Sequence, residues 1–595
     1  MKKIEHAGIA VVLSALAILL LLLFTQTYKL TPEIVENVIE DSTQLSYLQP
    51  ALEPMQAKTF RSKSSFISAY KKAVDSANAK IQTAAGGDNN SDSTQAGDEA
   101  DSSATGEKDT KEEKGAIAKN KEIATTPGVS NKGEHATKEG AQPARKDDKT
   151  TTAPTVPDQA DATDEEQAAT IDQDYSLAML MQSSNGPLRT HNVFLLVLVI
   201  TMFTAGALLL TYGKYGKKPA GIKNDGVMKK PMTTIKLPAI LVGIGLIAFY
   251  CILYWYPYLL SDWILLVNPI KQLFAKGDAD ENFLYGVIYT LAVLLFGIKM
   301  FVKYRHSNYQ MVRTASVTFF QLSFAFIIPE ILAALKKPSV DLKNIWPLDY
   351  SFFFGSNITE LINNGGIGVF ILVWGILLLV VAVPLLTYFF GKRWYCSWVC
   401  GCGGLAETAG DPYRHLSSKK LVAWKVERIL IYSILVLTVG MTAIVLANYF
   451  SHGKILGAAS ENVQTWYGFL IGSVFAGVIG TGFYPIMGNR VWCRFGCPLA
   501  AIFGIIQRYK SRFRITTNGG QCISCGNCST YCEMGIDVRW YAQRQQNVVR
   551  ASCVGCGICA EVCPRGVLRL ENGKETNRIN NDPIIIGNDG IHVKN

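Results

Sequence analysis

The chain has 595 residues, a formal net charge of +10 and 49% apolar residues. The apolar residues collect in long runs with few charges, separated by very polar stretches, which is the composition of a multi-span membrane protein and not of a soluble core. Most of the excess positive charge sits in short loops between those runs, so it reports membrane orientation and argues against nucleic acid as a partner.

The first apolar run, Ala7 to Thr25, follows Lys2 and Lys3. It is long and no A-x-A cleavage site follows it, so residues 1–25 read as an anchor helix rather than a cleaved signal peptide. Residues 26–190 form an extracytoplasmic insertion expected to be largely disordered. Its first part, 31–81, has helical patterning in Ile34, Val35, Val38 and Ile39, then Phe66, Tyr70 and Val74. From Thr83 to Gln173 the chain is Ala, Thr, Ser, Asp, Glu and Lys with almost no aromatic residues. Such a stretch cannot bury enough apolar surface to offset its ordering entropy, and a tether is its expected role.

Seven further apolar runs follow, at about 192–212, 237–260, 283–303, 315–335, 366–390, 427–449 and 466–487. Each supplies the ~20 helical residues that cross a hydrocarbon core. The expected architecture is therefore an α-helical polytopic membrane protein of about eight spans. Membrane helices occupy 191–365, a membrane core 366–510, an α+β two-cluster ferredoxin-like domain 511–570 and a polar tail 571–595. Residues 213–236 carry seven lysines and one aspartate, and Arg305, Arg313, Lys392, Arg393, Arg414, Lys419, Lys420 and Lys425 fill the next basic loops. With eight spans these fall on one side, which puts both termini in the cytoplasm. Lys336, Lys337 and Lys343 dissent, lying outside. Trp255, Tyr256, Tyr258 and Trp263 suit an outer interfacial belt. Glu330, near the outer end of the fifth span, is an ionisable group to account for, either as a functional residue or as a solvated one.

Two spans end on the same frame. Residues 391–400 read G-K-R-W-Y-C-S-W-V-C and 488–497 read G-N-R-V-W-C-R-F-G-C. The shared G-x-R-x-aromatic-C-x-aromatic-x-C implies two related half-units leaving the membrane in the same way. Cys396/Cys400 and Cys493/Cys497 are each four apart, a spacing that puts both thiols on one face of a helix. Three readings stand: a metal or further cluster, a redox dithiol pair, or ordinary small residues at a helix end. Cys402 adds a fifth thiol nearby.

Thirteen of fourteen cysteines lie after residue 395. Short fixed spacings in a large chain mean metal or redox chemistry rather than disulfides. Cys522, Cys525, Cys528 and Cys532 form C-x2-C-x2-C-x3-C, repeated as Cys553, Cys556, Cys559 and Cys563 followed by Pro564. This is the spacing of bacterial two-cluster ferredoxins, in which the fourth cysteine ligates the other cluster. One [4Fe–4S] cluster is thus assigned Cys522, Cys525, Cys528 and Cys563, the second Cys553, Cys556, Cys559 and Cys532. Zinc sites favour separated pairs and do not predict a triplet with an x3 fourth. Glu533 stands where the first copy would have proline.

The spans, the paired C-x3-C frames and the terminal two-cluster motif together resemble the membrane polyferredoxin family, over roughly residues 366–570. That family includes the quinol-dehydrogenase component of periplasmic nitrate reductase, the nitrous-oxide-reductase regulator and a cytochrome-oxidase maturation protein. Its C-x3-C-P frame is complete at Cys493, Cys497 and Pro498, whereas the first copy has Gly401 after Cys400. The resemblance implies a bacterial cytoplasmic membrane location and electron transfer between the quinone pool and a redox partner protein. Conduction is expected to dominate over stand-alone enzyme chemistry. The alternatives are a metal-reducing assembly factor or a redox-sensing regulator of a terminal reductase or oxidase. The Asp101–Thr105 string lacks the spacing of the regulator branch's flavin attachment, so no FMN is expected. No C-x2-C-H occurs and His191, His306 and His452 sit at run ends, so no haem is expected. His415 lies near the paired cysteines as a loop residue.

Overall fold

The computed structural model describes residues 2–39, 41–85, 175–216, 237–455, 457, 459–572, 584–587 and 590–593. Most of the stretch expected to be disordered, 86–174, and most of the lysine-rich loop, 217–236, lie outside the described residues. The chain divides into two units, Thr27–Ser184 and Met1–Gln26 with Asn185–Asn595.

In the smaller unit the strand Thr27–Lys29 pairs antiparallel with Thr59–Phe60. Helices Pro32–Val38, Ser42–Gln56, Lys63–Ala85 and Tyr175–Ser183 accompany this ladder. The periodic positions are its core: Val35, Phe66, Tyr70 and Val74 are buried, with Leu48, Leu52, Met179 and Leu180. The expectation of a largely disordered insertion is therefore corrected at both flanks. Apolar residues at helical spacing on either side of the polar stretch fold together, because neither flank alone offers enough area to close a core.

Among the described residues, the larger unit contains eight helices long and apolar enough to cross a bilayer. They are α1 (Lys2–Leu22), α2 (Asn192–Tyr215), α3 (Leu237–Trp255), α4 (Glu281–Lys303), α5 (Asn308–Ala334), α6 (Gly365–Phe390), α7 (Leu421–Phe450) and α8 (Ala459–Gly482). All eight correspond to the expected runs. Their ends differ because polar residues extend a helix that hydropathy alone truncates: α5 starts at Asn308, where Ser307 caps it by accepting from the Gln310 amide. Phe370, Val373, Val380 and Leu385 of α6 are exposed, the arrangement a lipid-facing surface requires. Wide helical turns at Ser323–Ile327 and Leu378–Ala382 come just before Pro329 and Pro384, whose missing N–H groups break the ordinary ladder. Glu330 is accounted for by Lys271, whose ammonium lies 2.7 Å from its carboxylate.

A small domain follows α8. Strands β1 (Arg514–Thr517) and β2 (Leu568–Glu571) pair antiparallel, Arg514 opposite Glu571 and Ile515 opposite Leu570. Between them lie both cysteine quartets, each with a short helix, Asn527–Thr530 and Ile558–Glu561. The tail contains a hairpin of β3 (Ile584–Gly587) and β4 (Gly590–Val593). The domain rests on one end of the helical bundle: the close of α4, the start of α5, the close of α6 and the start of α7 all reach it. Ser307 bonds Glu561, the Arg512 amide donates to the Tyr388 carbonyl, and Ser552 donates to Glu427. Alternate ends meeting one domain is what antiparallel neighbours produce.

Candidate iron–sulfur centres

The two terminal quartets fold into matching loops. Gly526 and Gly557 both take left-handed conformations, φ +78° and +79°, and each starts the short helix that carries the third cysteine. That conformation is strained for any L-residue with a Cβ, so glycine is the residue the turn requires. The fourth cysteines match as well: the Ile536 amide donates to Cys532 Sγ and the Val567 amide to Cys563 Sγ, both at 3.3 Å. The result is two small cavities of matching size. One is lined by Cys522, Cys525, Cys528 and Cys563, the other by Cys532, Cys553, Cys556 and Cys559. The fourth cysteine of each sequence motif faces the first three of the other. Four convergent thiols in an apolar cavity with amide donors at sulfur fit a [4Fe–4S] cluster, which binds as a thiolate-ligated cube.

The cavities differ in setting. The 553–557 loop is held against the helical bundle: Tyr309 Oη donates to the Gly555 carbonyl, Gln310 Nε2 and Arg313 to that of Cys556, Ser397 Oγ to that of Val554 and Gln507 Nε2 to that of Cys553, all within 3.0 Å. In the other cavity Cys525 is exposed.

The paired C-x3-C frames share their backbone course. Gly391 and Gly488 both have positive φ, +64° and +96°, where α6 and the short helix Tyr484–Met487 end. Lacking a Cβ, they also admit close neighbours, Phe513 and Ser417. The Cys400 amide bonds the Tyr395 carbonyl at 2.8 Å and that of Cys497 bonds the Trp492 carbonyl at 2.9 Å, at equivalent positions of the repeat. One expectation fails here. The two cysteines of a pair do not share a helix face. Cys396 ends the helix Arg393–Cys396, and Cys400 is the extended residue that starts Gly401–Thr408. Likewise Cys493 lies in the wide turn Trp492–Gly496 and Cys497 starts Pro498–Tyr509. Pro498 excludes the residue before it from the helical region, which the i, i+4 argument did not weigh.

Cys396, Cys400, Cys493 and Cys497 are all buried; Cys396, Cys400 and Cys497 belong to one core cluster with Tyr395, Trp492 and Phe503, and Cys493 lines a separate small cavity. Burial pushes the Cys396 thiol up to about 12 and raises Cys493 and Cys497. Cys400 goes the other way, to about 6, because the Cys402 thiol donates to it. Among the described residues, no three of these thiols come within 4.8 Å of one another. A tetrahedral zinc with Zn–S bonds of ~2.3 Å needs sulfurs about 3.8 Å apart. The four-thiol set is wider than a single ion demands, as are the two terminal quartets.

Around these groups lies a buried charge network that no sequence motif marks. Glu407 meets Arg414 and Arg490 at 2.7 Å and Arg313 at 2.9 Å. Glu533 meets Arg414 at 2.9 Å and Arg490 at 3.2 Å. Asp411 meets Lys303 at 2.8 Å and Lys299 at 3.1 Å. Burial alone would raise Glu407, but Arg313, Arg414 and Arg490 hold it well below the usual carboxylate range; Lys303 and Lys299 do the same for Asp411. The glutamate that replaces proline after Cys532 is thus a docking residue. It joins the small domain to arginines from the two loops that follow α6 and α8. Glu407, Glu533 and Cys556 present ligating atoms within 4.8 Å, but three guanidiniums already crowd the two carboxylates, a field that opposes a further cation there. Two positive charges remain in surplus, and Arg414 Nη1 lies 3.7 Å from Cys556 Sγ. One signal for this network was present: Lys299 and Lys303 sit four apart inside an apolar run, and ionisable groups there demand partners.

Comparison with known proteins agrees with this geometry. A family profile described as "4Fe-4S binding domain" matches residues 372–421 and again 467–516, the two C-x3-C frames. A "4Fe-4S dicluster domain" profile matches 521–568. A protein of Escherichia coli (strain K12) called "Putative electron transport protein YccM" is 26% identical over 155 residues, 25% of this chain and 43% of that protein. The chain therefore spans less than half the length of that relative. No solved structure matches. The chain thus carries matches to 4Fe-4S domains of ferredoxin type over 372–421, 467–516 and 521–568 and, among the described residues, eight helices of membrane-spanning character.

Proposed function

We propose that this chain is an electron-transfer protein of the bacterial cytoplasmic membrane, exchanging electrons between the quinol pool and a respiratory partner, with both termini in the cytoplasm. The observation that carries the reading is the pair of cavities, each lined by three cysteines of one motif and the fourth of the other. Cys522, Cys525, Cys528 and Cys563 hold one [4Fe–4S] cluster, and Cys553, Cys556, Cys559 and Cys532 the second. Such a cluster supplies one-electron oxidation and reduction without moving atoms. The relative's printed name supports electron transport as the activity.

Cys396, Cys400, Cys493 and Cys497 make a third centre in this reading, a further cluster at the membrane surface. Its support is the 4Fe-4S profile over both frames and a thiol spacing too wide for one ion. The protein's own contribution is to keep water away, to fix the thiols by amide donors and to set a positive field. Arg414 near Cys556 and Arg490, 3.7 Å from Cys493 Sγ, stabilise added negative charge at those sulfurs. Anaerobically purified protein should hold about eight irons in the tail and about four more in the third centre. Titration with a quinol analogue should then bring out the EPR signals of reduced clusters. Iron at four or below, or clusters that dithionite reduces and quinol does not, would refute the cluster count or the quinol link respectively.

A further inference from the structure

We infer that the rim of the Cys522/Cys525/Cys528/Cys563 cavity is the docking surface for a soluble electron carrier with an acidic face. The inference rests on the electron-transfer reading and adds to it the place of contact and the charge of the partner.

The small domain has one side committed. Its 553–557 loop is hydrogen-bonded to the helical bundle through Tyr309, Gln310, Arg313, Ser397 and Gln507. At the other cavity Cys525 is exposed and Ile523 beside it is 54% exposed. Arg539 and Arg565 line this cavity and are themselves exposed. No ion pair among the described residues includes either one. On the adjoining helix, exposed Arg544 stacks over exposed Trp540 at 4.1 Å. Asp537, the nearest carboxylate in sequence, accepts from Ser529 Oγ at 2.6 Å. What this face offers is an exposed apolar tip with two exposed guanidiniums outside any ion pair among the described residues, and an Arg544–Trp540 stack on the adjoining helix.

That combination is the anatomy of a protein-binding patch, in which Trp and Arg carry most of the energy and charges sit at the rim. Unpaired rim charges of one sign steer an oppositely charged partner and repel a like one. A carrier must come close to the thiol-lined cavity, and the basic face selects one whose own contact surface is acidic. The contrast with the buried network is instructive: there five cations are matched against three carboxylates, whereas here the arginines are left for something outside the chain.

The test uses the full-length protein in nanodiscs with an acidic plant-type [2Fe–2S] ferredoxin as probe and basic cytochrome c as control. Interferometry at low salt should show ferredoxin binding, with Kd rising about tenfold or more in 0.3 M salt, where the Debye length falls below ~8 Å. Arg539→Glu with Arg565→Glu, compared at iron content equal to the wild type's, should weaken binding by about tenfold or more at low salt. Arg544→Glu, outside the cavity lining, should move it in the same direction. Ferredoxin binding that ignores salt and these reversals, or a preference for cytochrome c, would overturn the docking site while an iron-replete protein kept the electron-transfer reading intact. A wild-type preparation without iron would sink that reading, whichever way the carrier bound.

Discussion

Glu533→Gln is the substitution that most directly tests how the small domain is held. The change keeps the shape of the side chain and removes its charge. Arg414 at 2.9 Å and Arg490 at 3.2 Å would each lose one carboxylate, and both are about 1% exposed. Removing one partner of a buried ion pair costs ~3–5 kcal/mol, because an uncompensated charge stays behind. Glu407 still pairs with both arginines at 2.7 Å, so the lower end applies, about 3 kcal/mol. At about 1.4 kcal/mol per decade this loosens the docked interface roughly 150-fold. Amide hydrogen exchange over residues 553–557, which the interface covers, should lose protection by that factor. Adding Arg414→Gln should recover part of the loss by reducing the surplus of buried cations that the first change enlarges. Protection within about twofold of the wild type would refute the network as the clamp, since local fluctuations alone account for changes of that size.

Three other outcomes follow from the same geometry. Cys563→Ser should abolish the EPR signal of the cluster held by Cys522, Cys525 and Cys528, while the signal of the Cys553 set survives; loss of only the latter would contradict the crossed lining. Cys402→Ala should leave total iron within about one atom of the wild type, whereas Cys400→Ser should lower it by about four, the content of one cube. The ion pairs of Glu407 and Asp411 should also hold undiminished from pH about 8 to 5, the range above ordinary carboxylate pKa values. Glu407 and Asp411 titrate below their unfolded values, so the stability they contribute is present above about pH 4 and fades as pH falls through the folded pKa values. A loss of hydrogen-exchange protection at 553–557 already at pH 6 would contradict this.

Much of this molecule was legible in the sequence because its signals are local. A span needs ~20 consecutive apolar residues, so eight runs were enough to mark α1 to α8. The ferredoxin spacing is local too: C-x2-C-x2-C-x3-C encodes the loop, its glycine and the helix start within eleven residues. Patterning at Val35, Phe66, Tyr70 and Val74 likewise marked a core face, although composition concealed that Tyr175–Ser183 completes it.

Tertiary structure alone decided the rest. Glu407 and Asp411 share one loop, Glu533 comes from the distant small domain, and none belongs to a recurring pattern. They are defined by meeting Arg313, Arg414, Arg490, Lys299 and Lys303 in a place without water. Which cavity faces the bundle and which faces outward also turned on contacts more than two hundred residues apart, such as Tyr309 to Gly555. Covalent spacing fixes what one turn of chain can present. A buried charge is stable only where its partner arrives, and that arrival is a property of the packed chain.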